Sequence, residues 1–558
     1  MKAYFLITLL TIGLMPFLKV EAINDKFVSY EEAMQKITFN NNSYENLSLS
    51  DSSDEVEQYQ DISVSMKFKC TPLVGENPAE YFGDLNMTEE ERRSMIDAGR
   101  EYYTKVNEEC LKEVDLSMFD NVYVGKYGPF VSITISKKTR SITTYDDIVN
   151  LAYYDVVECI DVSTADVQED QIYEAKYLSG IDTTNDVPIG GDGIRIGVLE
   201  TGIPDEDHSN FLGTDIHFRD NWQPLESVTE HATMVCSVLA GVNGVARNAS
   251  LYCASVLLHP QEEVEWMLHN YVNVINCSYG DSYPNGVYSD VSAYMDYVVY
   301  TYRITIVAAV GNEGDDSGYV ANPALGYNVI GVGAVESSFG APYTFTSYRT
   351  NNNIMKPNIS ACGGMDIYPF GYITGTSFAA PIVTGIVAKL MQEKVLLRTM
   401  PELVLSILTS GAANADGRDY GSPVFKQKVG FGIAHYGYAR NTFYKEQYYN
   451  VETNRYYDPR RGYFEFDIER GTRLRFAASW LAYADGNKNH SVLPRFAAAV
   501  LFSDTGEQLR YSFLNYTNTQ ALDGEFEVDG YIRFHSELSI CATDYKPYCV
   551  GLSARYII

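Results

Sequence analysis

The chain has 558 residues, 46% of them hydrophobic, which is more than one ordinary core holds, so three or four domains are expected. Its 42 basic and 73 acidic residues leave a formal net charge of −31, and that excludes a nucleic-acid binder, whose phosphates need a basic face. The charge reads as a solvated surface, and the 45 tyrosines as packing and amphipathic surface.

Residues 1–22, "MKAYFLITLLTIGLMPFLKVEA", put Lys2 before an apolar run and small residues, Val20 and Ala22, at the end. That is the pattern of a secretory signal peptide, and a secreted, extracellular protein is expected. The competing reading is an uncleaved anchor, because the run is long and contains Pro16. No later stretch approaches the roughly 20 apolar residues needed to span a bilayer, so no membrane span is expected in the mature chain.

Residues 23–60 are polar and rich in Asn, Ser and Asp, and read as loop. Over about 61–164 the pattern turns regular. "DISVSMKFKC" alternates like a strand, and a long helical pattern follows with Thr88 as its cap. "NVYVGKY" and "FVSITISKK" make two more strands, "TYDDIVNLAYY" a short helix and "VVECIDVS" a last strand. The order β-α-β-β-α-β is that of a ferredoxin-like α+β unit. The N-terminal segment is therefore bounded at 23–168.

From about 193 the period changes. "IRIGVL", "ASLYCASVL", "YVNVINCS", "ITIVAAVG" and "NVIGVGAV" are short apolar strands, with helical patterns at 230–240, 260–270 and 288–302. Alternating strands and helices imply an α/β domain with a doubly wound parallel sheet, here over 169–440. Such sheets hold ligands at the carboxyl ends of their strands. From 441 to 558 the helices vanish and alternating segments with Gly, Asn and Asp turns predict an all-β sandwich.

The nine cysteines are too sparse for a disulfide scaffold. Cys541 and Cys549 are close enough in sequence to bridge a hairpin, and any two of Cys70, Cys110 and Cys159 are candidates to pair. Cys236, Cys253, Cys277 and Cys362 sit in apolar runs and read as buried thiols.

Four residues in the middle domain carry chemistry. Glu200 ends the strand "RIGVLE", His231 opens the helix "EHATMVCSVLAG", Asn312 follows a strand in "AAVGNEG", and Ser377 opens the helix of "GTSFAAP". A serine hydroxyl is a poor nucleophile until a base takes its proton. A histidine serves as that base when an acid fixes its tautomer. The tetrahedral oxyanion then needs donors, such as a side-chain amide and a backbone N–H at a helix start. Pro381 is expected in the first turn of the Ser377 helix. His208, Asp205 and Asp207 lie closer to Glu200 in sequence, but an acidic loop is more often solvated than catalytic.

"GTSFAAP", "AAVGNEG", "RIGVLETGI" and "HATMV" together resemble the motifs of subtilisin-like serine proteases, and the resemblance spans roughly 190–440. It implies a secreted serine endopeptidase with Glu200, His231 and Ser377 as triad and Asn312 in the oxyanion hole. It implies protein or peptide substrates, with Ser278, Tyr279, Gly280 and Gly311 binding them. The substrate side-chain pocket would be built from 278–280, 309–312 and the stretch near Ala321, with Glu313 at its rim. The 23–168 segment would be a propeptide, acting as chaperone and inhibitor of a zymogen, and the sandwich an accessory domain. No cofactor is implied. Calcium is the exception to consider, but the usual calcium loop is shortened between His231 and "GVARNASLY". The family keeps Asp where Glu200 stands and usually Gly where Ala232 stands. Those departures leave open a non-catalytic binding protein on the same fold. A sedolisin-like enzyme also uses Glu, but has Asp in the oxyanion role where this chain has Asn312.

Overall fold

The computed structural model describes residues 27–39, 62–74, 88–119, 122–135, 144–164, 178–179, 181, 190–219, 228–256, 260–281, 284–336, 340–351, 354–367, 370–414, 427–450, 455–457, 465–489, 499–503, 508–512, 517–525, 529–533 and 549–556. Residues 1–22, expected as a signal peptide, and the link between 164 and 178 lie outside them.

The N-terminal unit comprises α1 (Tyr30–Lys36), β1 (Ile37–Phe39), β2 (Ile62–Phe68), α2 (Glu89–Cys110), β3 (Val122–Val124), β4 (Phe130–Ile135), α3 (Thr144–Ala152) and β5 (Val157–Thr164). Its sheet order is β1-β5-β2-β4-β3. Helix α2 starts with a capping box, in which the Glu91 amide donates to Thr88 Oγ1 and the Thr88 amide to Glu91 Oε2. The loop expected over 23–60 is corrected at its start. Ser29 caps α1, and β1 adds to the sheet as a parallel partner of β5. Three residues without a clean alternation carry too little pattern to announce a strand.

The central unit holds a seven-stranded sheet in the order β12-β11-β10-β9-β6-β8-β7, parallel throughout. The strands are β6 (Arg195–Glu200), β7 (Asp215–Phe218), β8 (Ser250–Ser255), β9 (Val274–Cys277), β10 (Thr305–Ala309), β11 (Ile330–Val335) and β12 (Ile359–Cys362). The helices are α4 (Glu230–Ala240), α5 (Pro260–His269), α6 (Asp290–Tyr302) and α7 (Thr376–Glu393), with α8 (Pro401–Ser410) leading to the C-terminal part. The two edge strands, β7 and β12, are additions to the five read from the sequence. Each is four residues long, and "DIHF" is half exposed, so neither has the long apolar run that marks a central strand. Five central strands read as apolar because helices cover both faces. One core lies against α4 and α7, the other against α5 and α6.

The C-terminal unit is two antiparallel sheets. The first is, in spatial order, Arg455–Tyr457, Phe443–Asn450, Cys549–Tyr556, Arg473–Trp480 and Thr519–Glu525; the second is Glu465–Ile468, Gly530–Arg533, Ala499–Ser503 and Gln508–Ser512. The first packs on α8, where Ser553 Oγ lies 2.7 Å from the hydroxyls of both Ser406 and Ser410.

The units share a core. Tyr103, Tyr127 and Phe130 of the N-terminal unit pack with Tyr294, Tyr297 and Tyr302 of the central one and with Leu481 and Tyr483 of the C-terminal one. The rings meet edge to face: Tyr103 on Tyr297, Tyr127 on Tyr302, Phe130 on Tyr294. The tyrosine count thus finds part of its explanation at a junction, where an apolar ring and a hydrogen-bonding tip are both used. Tyr297 Oη donates to the Tyr127 carbonyl at 2.7 Å.

All eight described cysteines are free thiols. Cys70, Cys110 and Cys159 are not bridged, and Cys549 is a buried free thiol in the central strand of the first C-terminal sheet. Cys236 and Cys253 touch at 3.7 Å, Sγ to Sγ, as buried thiols. Among the described residues, no group of three or more His, Cys, Asp or Glu converges as a metal site, and no helix is long and apolar enough to cross a membrane.

Candidate active site

Glu200 is the last residue of β6, a strand paired on both sides, with β8 and β9. Its carbonyl accepts the Val256 amide at 2.7 Å, so its backbone is held in the sheet. The side chain is 1% exposed, and Oε2 lies 2.9 Å from His231 Nδ1. His231 is the second residue of α4, capped by Thr229, whose hydroxyl accepts the Ala232 amide. The loop after the acid is tied to this helix at two points. Thr229 N donates to the Ile203 carbonyl at 3.0 Å, and Asp205 N to Thr233 Oγ1 at 2.9 Å. Strand end and helix start are thereby held in one geometry, and Thr233 is a positioning residue that sequence reading passed over. Its place two residues after the histidine was the signal.

Ser377 is the second residue of α7, half buried, where the helix amides have no intrahelical acceptor. Its two neighbours fix its position. On one side the Thr376 amide and hydroxyl both donate to Asn312 Oδ1, at 2.9 and 3.1 Å. On the other, the Phe378 ring centroid is 5.0 Å from that of His231. The serine is therefore bracketed by the group that touches the amide and the group that touches the imidazole. Because both Thr376 donors take Oδ1, the opposite end of the Asn312 amide is its donor, Nδ2. Thr376 also accepts the Gly311 amide at 3.1 Å. Pro381 falls in the second turn of α7, not the first, since the helix opens at Thr376. The N–H it lacks is the one that would have bonded the Ser377 carbonyl.

The expected binding segments also meet. A Cβ on Gly280 would stand 2.7 Å from the Ala321 Cβ, and one on Gly311 3.5 Å from it, so the two chains converge on Ala321. Gly311 has φ +98°, a conformation that favours glycine beside Asn312. Ser278 is different from a substrate-facing side chain. It is buried, and its hydroxyl accepts Asn276 Nδ2 at 2.8 Å, while Asn276 Oδ1 accepts Thr384 of α7. Tyr279 is half buried and packs against the second core. Glu313 is half buried at the turn after Asn312, its amide donating to Ser347 Oγ. Asp205 and Asp207 are exposed. His208 is stacked on Phe370 at 5.0 Å instead of being fully solvated, and its Nδ1 accepts the Asn210 amide.

The buried Glu200 carboxylate marks its surroundings. Burial pushes the thiols of Cys277 and Cys236 and the Tyr279 hydroxyl up from their ordinary values, with this negative charge a smaller contribution to each, so all three stay neutral. The carboxylate and imidazole thus sit among neutral groups, where a charge-assisted hydrogen bond is strong. An acid fixed on an imidazole, a serine at a helix start and an oriented amide are the parts needed for acyl transfer.

The chain matches known proteins over this unit. The subtilase family model covers residues 191–432. Subtilisin amylosacchariticus of Bacillus subtilis subsp. amylosacchariticus is 30% identical over 221 residues, 36% of this chain and 56% of that protein. The alkaline protease of Alkalihalobacillus alcalophilus is 28% identical over 220 residues, 36% of this chain and 55% of that protein. The chain thus spans about half the length of these curated relatives. Among solved structures, the prenylagaramide maturation protease PagA is 24% identical with a TM-score of 0.38, covering 45% of this chain and 94% of that one. Residues 191–432 are thus similar to the subtilases, the family whose model they match.

Proposed function

We propose that the protein is a secreted serine endopeptidase made as a zymogen, with Glu200, His231 and Ser377 as its triad. The observation that carries this reading is the 2.9 Å contact between Glu200 Oε2 and His231 Nδ1 beside a serine held between Thr376 and Phe378. Glu200 accepts a hydrogen bond from Nδ1–H and holds the imidazole in the tautomer whose Nε2 is a base. His231 takes the Ser377 proton as Oγ attacks a peptide carbonyl, then gives it to the leaving amine. The Ser377 amide and Asn312 Nδ2 receive the oxyanion, each such donor contributing about 10²–10³ in rate. Water then attacks the acyl-enzyme by the same route in reverse.

The zymogen part of the reading is supported by how the N-terminal unit sits on α5 and α6. Glu265 of α5 accepts the Lys126 amide at 2.6 Å and the Tyr127 amide at 3.0 Å. Buried Arg92 of α2 donates to the carbonyls of Val272 at 2.8 Å and Tyr302 at 3.2 Å. An N-terminal unit docked this way fits a propeptide that folds with the domain and inhibits it. Secretion rests on the N-terminal sequence.

The test is labelling of the matured protein with a fluorophosphonate. An adduct on Ser377, with self-cleavage that stops in Ser377→Ala, is the expected result. Secretion of an uncut chain that forms no adduct would instead make it a binding protein on this fold.

A further inference from the structure

The loop 485–489 of the C-terminal unit reaches past its own sheet and grips the N-terminal unit. Asp485 Oδ2 lies 3.3 Å from Lys67 Nζ of β2, and that lysine also pairs with Glu158 of β5 at 3.0 Å. Asn487 Nδ2 donates to the same Glu158. Lys488 Nζ is 3.1 Å from Asp161 of β5 and 3.5 Å from Asp290 at the start of α6, so one ammonium joins all three units. Lys67, Asp161 and Asp485 are each at most 8% exposed. These are buried links, in contrast to surface pairs, which count for little.

The loop is shaped for this contact. Gly486 has φ +88°, and a Cβ there would stand 2.3 Å from the Phe130 ring. The Asn487 amide donates to Asp485 Oδ1 and the Asn489 amide to Asn487 Oδ1, so the turn is braced from within. Its base is tied to the central unit. Asn328 exchanges two hydrogen bonds with the Ala482 backbone, at 2.7 and 3.0 Å, and Tyr483 meets Tyr300 edge to face at 5.5 Å.

We infer that the 485–489 loop is a clasp that keeps the N-terminal unit on the catalytic domain after the chain between them is cut. This rests on reading the N-terminal unit as a propeptide. Cleavage would remove its covalent tether, whereas the clasp stays covalently joined to the catalytic domain. The C-terminal unit then sets how long the inhibitor stays, and its partner surface is the β2–β5 pair with its buried Lys67 and Asp161 and its half-buried Glu158.

The test uses the full chain with Ser377→Ala and a recognition sequence for an added site-specific protease inserted between residues 168 and 178. After cutting, departure of the N-terminal fragment is followed by size exclusion against excess labelled fragment. Lys488→Ala and Lys67→Gln are each expected to speed departure by about tenfold or more, because each leaves buried carboxylates unpaired. Lys488→Arg should stay within about threefold of the parent, since it keeps the charge. Lys67→Gln alters only the N-terminal fragment, so it remains informative if Lys488→Ala misfolds; an unchanged melting temperature of the remaining part controls for that. Departure rates within about twofold of the parent for both variants would overturn the clasp. Failure of the Ser377 chain to cut itself would count against the protease reading alone, because the added protease makes this cut.

Discussion

Shortening the acid by one methylene tests the site most directly. In Glu200→Asp the carboxylate retreats by about one C–C bond, roughly 1.5 Å. The strand cannot follow it: Glu200 pairs with Ser255, and its carbonyl holds the Val256 amide at 2.7 Å. The 2.9 Å contact to His231 Nδ1 would therefore open to about 4.4 Å, beyond hydrogen-bond reach. A misplacement of 1 Å costs about a hundredfold where geometry is critical, so kcat should fall by about 10²–10³, or about 3–4 kcal/mol of barrier. Activity should remain measurable, because the charge stays in the pocket. Glu200→Ala removes the charge and should cost about 10⁴. The assay is kcat and KM on a chromogenic peptide, with active sites counted by titration so that failed maturation is not scored as slow chemistry. Activity in Glu200→Ala within tenfold of the parent would refute the assignment and send the search to Asp205, which is exposed nearby. Full activity in Glu200→Asp would refute the claim that the strand is rigid.

Asn312→Ala should lower kcat by about 10²–10³ with little change in KM, as loss of one oxyanion donor does; a change in KM alone would remove it from the oxyanion role. Thr376→Val removes one of the two donors on Asn312 Oδ1 and should cost about tenfold in kcat, and an unchanged kcat would show that the amide needs no such brace. Burial raises the Glu265 carboxyl from 4.5 to about 7 in the folded chain, so folding takes up a proton there. The contribution of this group to the stability of the full Ser377→Ala chain should be greatest below about pH 4.5 and fall, by up to about 1.4 kcal/mol per pH unit, as pH rises toward 7. Denaturant unfolding across that range would check it; Glu265→Gln should flatten the profile, and a contribution that rises with pH would reverse the argument. Arg92→Ala leaves the Val272 and Tyr302 carbonyls without their donor and should weaken docking of the N-terminal unit by about 2–5 kcal/mol, read from the inhibition constant of the isolated N-terminal unit.

What could be read from the sequence and what could not divides along a physical line. Glu200, His231, Asn312 and Ser377 each lie where a short apolar strand ends or an apolar helix begins, and those boundaries are written in local period and local residue choice. The capping box at Thr88 is of the same kind, four residues that carry their own hydrogen bonds. The features that escaped are held by partners far away in the chain. The Ser278 hydroxyl accepts Asn276 Nδ2, and Asn276 in turn accepts Thr384, more than 100 positions on, a link that no local pattern announces. Edge strand β7 has half-exposed residues because only one neighbour, β8, needs them. The tyrosines carry no local pattern at all. Tyr103 and Tyr297 are nearly 200 positions apart, and nothing near either one predicts the ring it meets. Tyrosine suits that junction for a reason independent of any one contact. A surface that is to be buried in one state and wet in another is better served by rings with a polar tip than by leucine, because the exposed state then costs less. The same logic places ions instead of apolar side chains in the 485–489 clasp: Lys67 and Lys488 regain water when the units part, so the junction can be both specific and separable.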